Sequence, residues 1–118
     1  MIRALDMVML FTSDMDRALT WYQDVLGLAT RARHGDFAVL ETGGVPIALH
    51  GGADPAAAAA RSAGATPVLR VDDYAAAKAA LEAKGCAFTF ENRTPHAVFG
   101  SFADPDGNPL QIIQRLGG

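Results

Sequence analysis

The sequence predicts an α+β fold in which the order βαβββ is written twice along the chain. Three observations carry that expectation. Two helical stripes recur at three- and four-residue steps, Met15, Leu19, Tyr22 and Leu26 first, then Tyr74, Ala77 and Leu81. A glycine stops each stripe, Gly27 and Gly85, and three strand-like runs follow each glycine. Each copy fills about 60 residues, and an internal repeat of that length is an architectural signal in its own right.

The elements follow in order. Residues 5–11 (LDMVMLF) read as a first strand, and Ser13 or Asp14 offers an oxygen to the free N–H groups of the first helix. Runs 28–34 and 36–42 form a hairpin about Gly35 and Asp36. Gly43 and Gly44 turn the chain into a fourth strand, 45–50, with Pro46 near its start, where a missing N–H is harmless. In the second copy, residues 66–71 make a strand and Asp72 is the expected cap of the second helix. Runs 86–91, 96–103 and 109–114 follow as strands, the last two joined by the turn Asp104, Pro105, Asp106, Gly107. The organisation is one domain of two modules, 1–51 and 66–118, with a linker at 52–65. Within the linker, Asp54 as N-cap, Pro55 at the first helical position and Gly64 as stop predict a short helix. Its alanines supply propensity but no wide apolar stripe, so an exposed, mobile connector is expected.

Composition narrows the function classes. The chain has 118 residues, half of them hydrophobic, enough for one core. Its net charge is -3, with no basic stripe of the kind nucleic-acid binding needs. One cysteine, Cys86, excludes an internal disulfide and fits a reducing compartment. No run approaches the ~20 apolar residues of a membrane span, and no signal peptide is recognisable, so a cytoplasmic location is expected.

The double βαβββ order, the segment SDMDRALTWYQDVLGL and the closing FADPDGNPLQII resemble the vicinal oxygen chelate superfamily. That group includes glyoxalase I, extradiol dioxygenases, fosfomycin-resistance enzymes and bleomycin-resistance binding proteins. The resemblance covers essentially the whole chain. It implies a curved mixed sheet, two half-barrels around a cleft, completed in chains of this size by pairing into a homodimer. It also implies metal-ligand positions, and this sequence departs from the pattern at each. The first-strand ligand, usually His, falls at Met7. The His opening the second module falls at Thr66, the closing-strand carboxylate at Gln111, and the further carboxylate of the lyases near Ala48. Divalent Zn, Ni, Fe or Mn sites need imidazole, thiolate or carboxylate donors. A thioether, a hydroxyl, an amide and a methyl do not make such a set. No metal and no other cofactor are therefore expected.

Strand alternation assigns the lining of the expected cleft. Met7 brings Met9 and Phe11 to its face, Ala48 brings His50, Thr66 brings Val68 and Arg70, and Gln111 brings Ile113. Leu10, Leu49, Leu69, Val71, Leu110 and Ile112 take the opposite face, against the helices. The resemblance to the bleomycin-resistance branch implies metal-independent sequestration of a small apolar or aromatic ligand. The ligand-binding set is Met7, Met9, His50, Thr66, Arg70, Phe99 and Gln111: apolar walls from Met7, Met9 and Phe99, polar selection by Thr66, His50 and Gln111. Arg70 is expected either to meet an acid such as Glu41 or to hold an anionic group. No catalytic residue is assigned beyond the candidate His50. The alternative reading is a glyoxalase-like lyase or isomerase, or a dioxygenase relative, with His50 as base and Arg70 as anion holder. A third is a structural partner whose cleft is vestigial. His34 reads as an exposed residue bordering the Gly35, Asp36 turn, His96 as a loop residue near the cleft mouth, Trp21 as a packing aromatic, and Cys86 as a buried inert thiol.

Overall fold

The computed structural model describes residues 1–117. The chain divides into two compact units, Met1–Gly64 and Ala65–Gly118, and each carries one βαβββ motif. Together they hold two four-stranded mixed sheets and three helices, the α+β architecture that the repeat predicts. Neither sheet closes into a barrel.

In unit one, β1 (Val8–Phe11) leads through α1 (Met15–Asp24) to β2 (Thr30–His34), β3 (Phe37–Leu40) and β4 (Ile47–His50). The strand order is β1-β4-β3-β2, with β1 parallel to β4 and the other pairs antiparallel. Asp14, not Ser13, caps α1: its carboxylate accepts from the Arg17 N–H at 3.1 Å. Met15, Ala18, Leu19 and Tyr22 bury one helix face. Across the sheet, Leu10, Leu49, Ala38 and Leu40 are fully buried and Ile47 nearly so. Registry explains that agreement, since Leu10, Leu49 and Ala38 share one rung, and paired residues point to the same side.

The segment after β4 differs from its expectation. α2 (Pro55–Ser62) forms where Asp54 and Pro55 predict it, with the Asp54 carboxylate accepting from Ala57 N–H at 2.8 Å. Most of it is exposed, as expected, but one side is anchored. Ala58 is fully buried, Ser62 is nearly so, and the Ser62 hydroxyl accepts the Phe11 N–H at 2.8 Å. β1 is the terminal strand of its sheet, and its outward N–H groups have no strand partner. A buried unpaired N–H costs about 1–3 kcal/mol, so Ser62 ties α2 to this edge for a specific reason.

In unit two, β5 (Val68–Arg70), α3 (Tyr74–Ala83), β6 (Phe90–Arg93), β7 (Ala97–Ala103) and β8 (Pro109–Arg115) give the order β5-β8-β7-β6. Two expectations shift here. The cap of α3 is Asp73, which accepts from Ala76 N–H at 3.0 Å, one residue beyond the expected Asp72. The first strand after the helix begins at Phe90 rather than Cys86. Cys86 is buried just past the helix stop, and burial pushes its thiol pKa up, as an inert core thiol requires. Leu110, Ile112, Val98 and Phe102 fill the helix side of the sheet. The Asp104 carboxylate fastens the turn before β8 by accepting from the N–H groups of Asp106 and Asn108 and from the Asn108 amide.

α3 meets its sheet through a tight contact. Gly100 lies under the Tyr74 ring, and a Cβ added there would stand 2.1 Å from the tyrosine oxygen. Tyr74 donates to Glu91 at 3.0 Å, and Lys78 donates to the same carboxylate oxygen. Burial, reinforced by the Glu91 carboxylate, pushes the Tyr74 hydroxyl up to about 12. Lys78, and then Tyr74, hold the Glu91 carboxyl below its usual range.

Candidate functional site

Each sheet has one face against its helices and one that is open; Met9, His50, Arg70, Phe99 and Gln111 stand on the open side, while Met7 and Thr66 lie before the strands. In unit one the open face is organised by rungs. The outermost rung runs Phe11, His50, Phe37, His34 across β1, β4, β3 and β2. The Phe11 and His50 rings lie 5.4 Å apart, and Phe37 meets His50 edge-on at 6.5 Å. The next rung places Met9, 39% exposed, beside fully buried Ala48 and half-buried Val39. Met7 is half-buried just before β1 begins.

His50 ends β4 and is fixed through its own neighbour. Its Nδ1 lies 2.8 Å from the Gly51 carbonyl oxygen, which can only accept, so Nδ1 carries the hydrogen. In the neutral ring Nε2 is then the acceptor. Gly51 itself donates to the Asp36 carbonyl at 2.7 Å, and a Cβ there would meet the Asp36 carboxylate at 3.3 Å. That close approach pins the end of β4 to the β2–β3 turn and fixes the direction of the imidazole.

The opposite end of the rung carries a cation that sequence reasoning missed. Arg61, in the last turn of α2, sets its guanidinium 5.5 Å from the centre of the Phe11 ring. The expected looseness of α2 concealed it. The packing of α2 on β1, with the Ser62–Phe11 bond 51 residues apart in sequence, brings Arg61 to the edge of this face.

In unit two the open face holds two rungs, Val68, Gln111, Ser101, Phe90 and Arg70, Ile113, Phe99, Asn92. Val68 and Phe90 are about half exposed, at 49% and 51%. Phe90 and Phe99 lie 6.1 Å apart. Gln111 donates to the Ser101 hydroxyl at 2.9 Å. That bond uses the amide nitrogen, and the carbonyl oxygen keeps its capacity to accept. Arg70 is exposed, and Glu41, the acid expected to meet it, pairs instead with Arg31 at 2.7 Å. Thr66 is exposed two residues before β5 and outside the sheet. Ser101, Phe90 and Asn92 were absent from the expected lining; β7–β6 registry, which alternation within one strand does not give, brings them to it.

A cavity of about 610 Å³ lies on the other side of this sheet, between α3 and β6, lined by Tyr74, Lys78, Glu82, Glu91, Arg93 and Val98. Glu91 pairs with Gly100, and Arg93 with Val98, so their rungs point away from Gln111 and Phe99. Its acids and bases neutralise one another in part, through the Lys78–Glu91 pair.

The metal-ligand positions implied by the resemblance do not fit a divalent ion. Met7 offers a thioether, buried Ala48 offers nothing, and Gln111 engages Ser101 with its amide. Among the described residues, no three His, Cys, Asp or Glu side chains converge. No helix there is long and apolar enough to cross a membrane.

Two βαβββ units in tandem set the class of protein. The chain belongs to the Glyoxalase/Bleomycin resistance protein/Dioxygenase superfamily, whose model matches residues 4–112. Its fold resembles that of TnmS3, an antibiotic binding protein from Streptomyces sp. CB03234, at 24% identity over 98% of each chain and a TM-score of 0.73. A putative glyoxalase family protein from Bacillus anthracis superposes with a TM-score of 0.78, at 16% identity over 98% of each chain. Lactoylglutathione lyase from Agrobacterium tumefaciens reaches a TM-score of 0.72 at 22% identity, over 94% of this chain and 92% of that one. No curated protein shows a match.

Proposed function

We propose that the protein is a metal-independent binder of small, flat, mostly apolar molecules, held on the open sheet faces. One observation carries this reading: the Phe11, His50, Phe37 rung, in which two rings flank an imidazole whose Nε2 accepts hydrogen bonds. Stacking on such rings contributes about 0.5–1.5 kcal/mol per pair beyond area burial. In unit two, Phe99, Phe90 and the Gln111 carbonyl offer the same combination of apolar surface and one acceptor. Met7 and Met9 add adaptable apolar surface, and Thr66 and Arg70 add polar selection at the margin. The likeness to TnmS3, an antibiotic binding protein, supports a binding role. A homodimer in a cytoplasmic setting belongs to this reading, and analytical ultracentrifugation checks the dimer.

The binding test uses 2-naphthol, a flat neutral probe with one hydroxyl donor, titrated into protein treated with EDTA. Saturable amide shifts at Phe11, Phe37 and His50 are expected, unchanged when Zn, Ni, Fe or Mn is restored. A requirement for stoichiometric metal, or no saturable shift at millimolar probe, overturns the proposal.

A second reading, a glyoxalase-like lyase or isomerase, has the His50 geometry in its favour, because an Nδ1-anchored imidazole presents Nε2 as a base. Turnover of a thiohemiacetal that is abolished in His50→Ala would establish it in place of simple binding.

A further inference from the structure

We infer that the aromatic rung of unit one selects planar aromatic monocarboxylates, with Arg61 as the residue that reads the carboxylate. This rests on the binding reading of the same face and narrows it to a ligand class. The argument begins with α2. Ser62 holds the last turn of that helix against β1, and the neighbouring Arg61 guanidinium is thereby kept over the Phe11 ring. Among the described residues Arg61 has no ion-pair or hydrogen-bond partner, so its five N–H donors face solvent beside an apolar strip. The other arginines of unit one that flank β2 are committed differently: Arg31 to Glu41, and Arg33 to Asp16 at 2.7 Å.

Two features then act along one line. Cross-strand neighbours stand roughly 4.8 Å apart, so Phe11 to Phe37 spans about 10 Å, the length of a bicyclic aromatic. The cation sits at the β1 end. At the far end the Asp36 carboxylate lies on the helix side, beside the place a Gly51 Cβ would take near Met15, and leaves the open face to Phe37 and His34. A ring laid along the rung with its carboxylate toward β1 therefore meets a planar guanidinium that bonds carboxylate oxygens in pairs. The same ring turned round carries its carboxylate away from Arg61. The single cation selects one orientation and serves one negative group.

The experiment compares 6-hydroxy-2-naphthoate with its uncharged amide, 6-hydroxy-2-naphthamide, and with naphthalene-2,6-dicarboxylate, by calorimetry and amide-shift titration of the full chain. The naphthoate is expected to bind about three- to tenfold more tightly than the amide, the range of an exposed to a partly shielded charged hydrogen bond. The dicarboxylate is expected to gain nothing further. In Arg61→Gln the naphthoate-to-amide ratio falls to about one while the amide's own affinity is kept, and Arg61→Lys restores part of the preference. Arg61 is exposed, and an unchanged far-ultraviolet spectrum confirms folding of the variants. Equal affinities in the unmodified protein, or a preference that survives in Arg61→Gln, overturns the inference and leaves the binding reading intact. If neither the naphthoate nor the amide produces saturable shifts at Phe11, Phe37 and His50, both fall together.

Discussion

Substituting Gly100 tests the packing of α3 on its sheet. The added methyl of Gly100→Ala would stand 2.1 Å from the Tyr74 oxygen and 2.9 Å from a Phe88 ring carbon, both inside van der Waals contact. Gly100 is buried in the middle of β7, paired with Glu91 and Ile112, so the backbone has strands on both sides and little room to yield. Tyr74 must swing outward, and its hydroxyl then leaves Glu91. Overpacking costs about 1–3 kcal/mol, and the lost hydrogen bond about 0.5–1.5 kcal/mol. The expected destabilisation is therefore about 2–4 kcal/mol, read from urea unfolding followed by circular dichroism. The cause is separable. In a Tyr74→Phe background the atom that clashes hardest is gone, and the same Gly100→Ala change should cost about 1–2 kcal/mol less, a coupling that a double-mutant cycle isolates. Equal costs in the two backgrounds would refute the assignment of the clash to the tyrosine oxygen.

Other outcomes follow from the same contacts. Tyr74 ionises at about 12 in the fold against 10.0 in the open chain, so the folded state holds its proton longer. The stability from this group is complete below pH 10 and is lost as pH rises toward 12, and Tyr74→Phe should flatten that alkaline limb in unfolding titrations. Ser62→Ala leaves the Phe11 N–H without its acceptor; a loss of about 1–3 kcal/mol is expected, with faster hydrogen exchange at Phe11 as the specific readout. Asp73→Ala removes the cap of α3 and should cost about 1 kcal/mol, whereas Asp72→Ala should cost less, as paired thermal melts would show.

Much of this architecture is legible in the sequence because strand and helix periods are local. The stripe Met15, Leu19, Tyr22 needs only its own spacing to find the buried face, and the Asp54, Pro55 signature marks the start of α2 correctly. The parity that separates Leu10 and Leu49 from Met9 and His50 holds for the same reason. What fails is whatever depends on partners distant in sequence. Thr66 reads as a strand residue, yet β5 begins only where pairing with Gln111 starts, at Val68. Arg70 has an acid of suitable charge in Glu41, but Arg31 faces that acid across the β2–β3 hairpin. Arg61 and Ser101 carry no motif at all, and each gains its position from pairing distant in sequence, α2 against β1 and β7 against its neighbouring strands.

The attachment of α2 also decides where the chain can be dissected. Counted as a repeat, the first copy ends at Gly51, and a fragment stopped there would contain every strand of its sheet. Such a fragment would lack Ala58 and Ser62, stripping the flank of β1 of its cover and leaving the Phe11 amide bare in a strand ready to recruit another. Severed between Gly64 and Ala65, the same half keeps its selvedge.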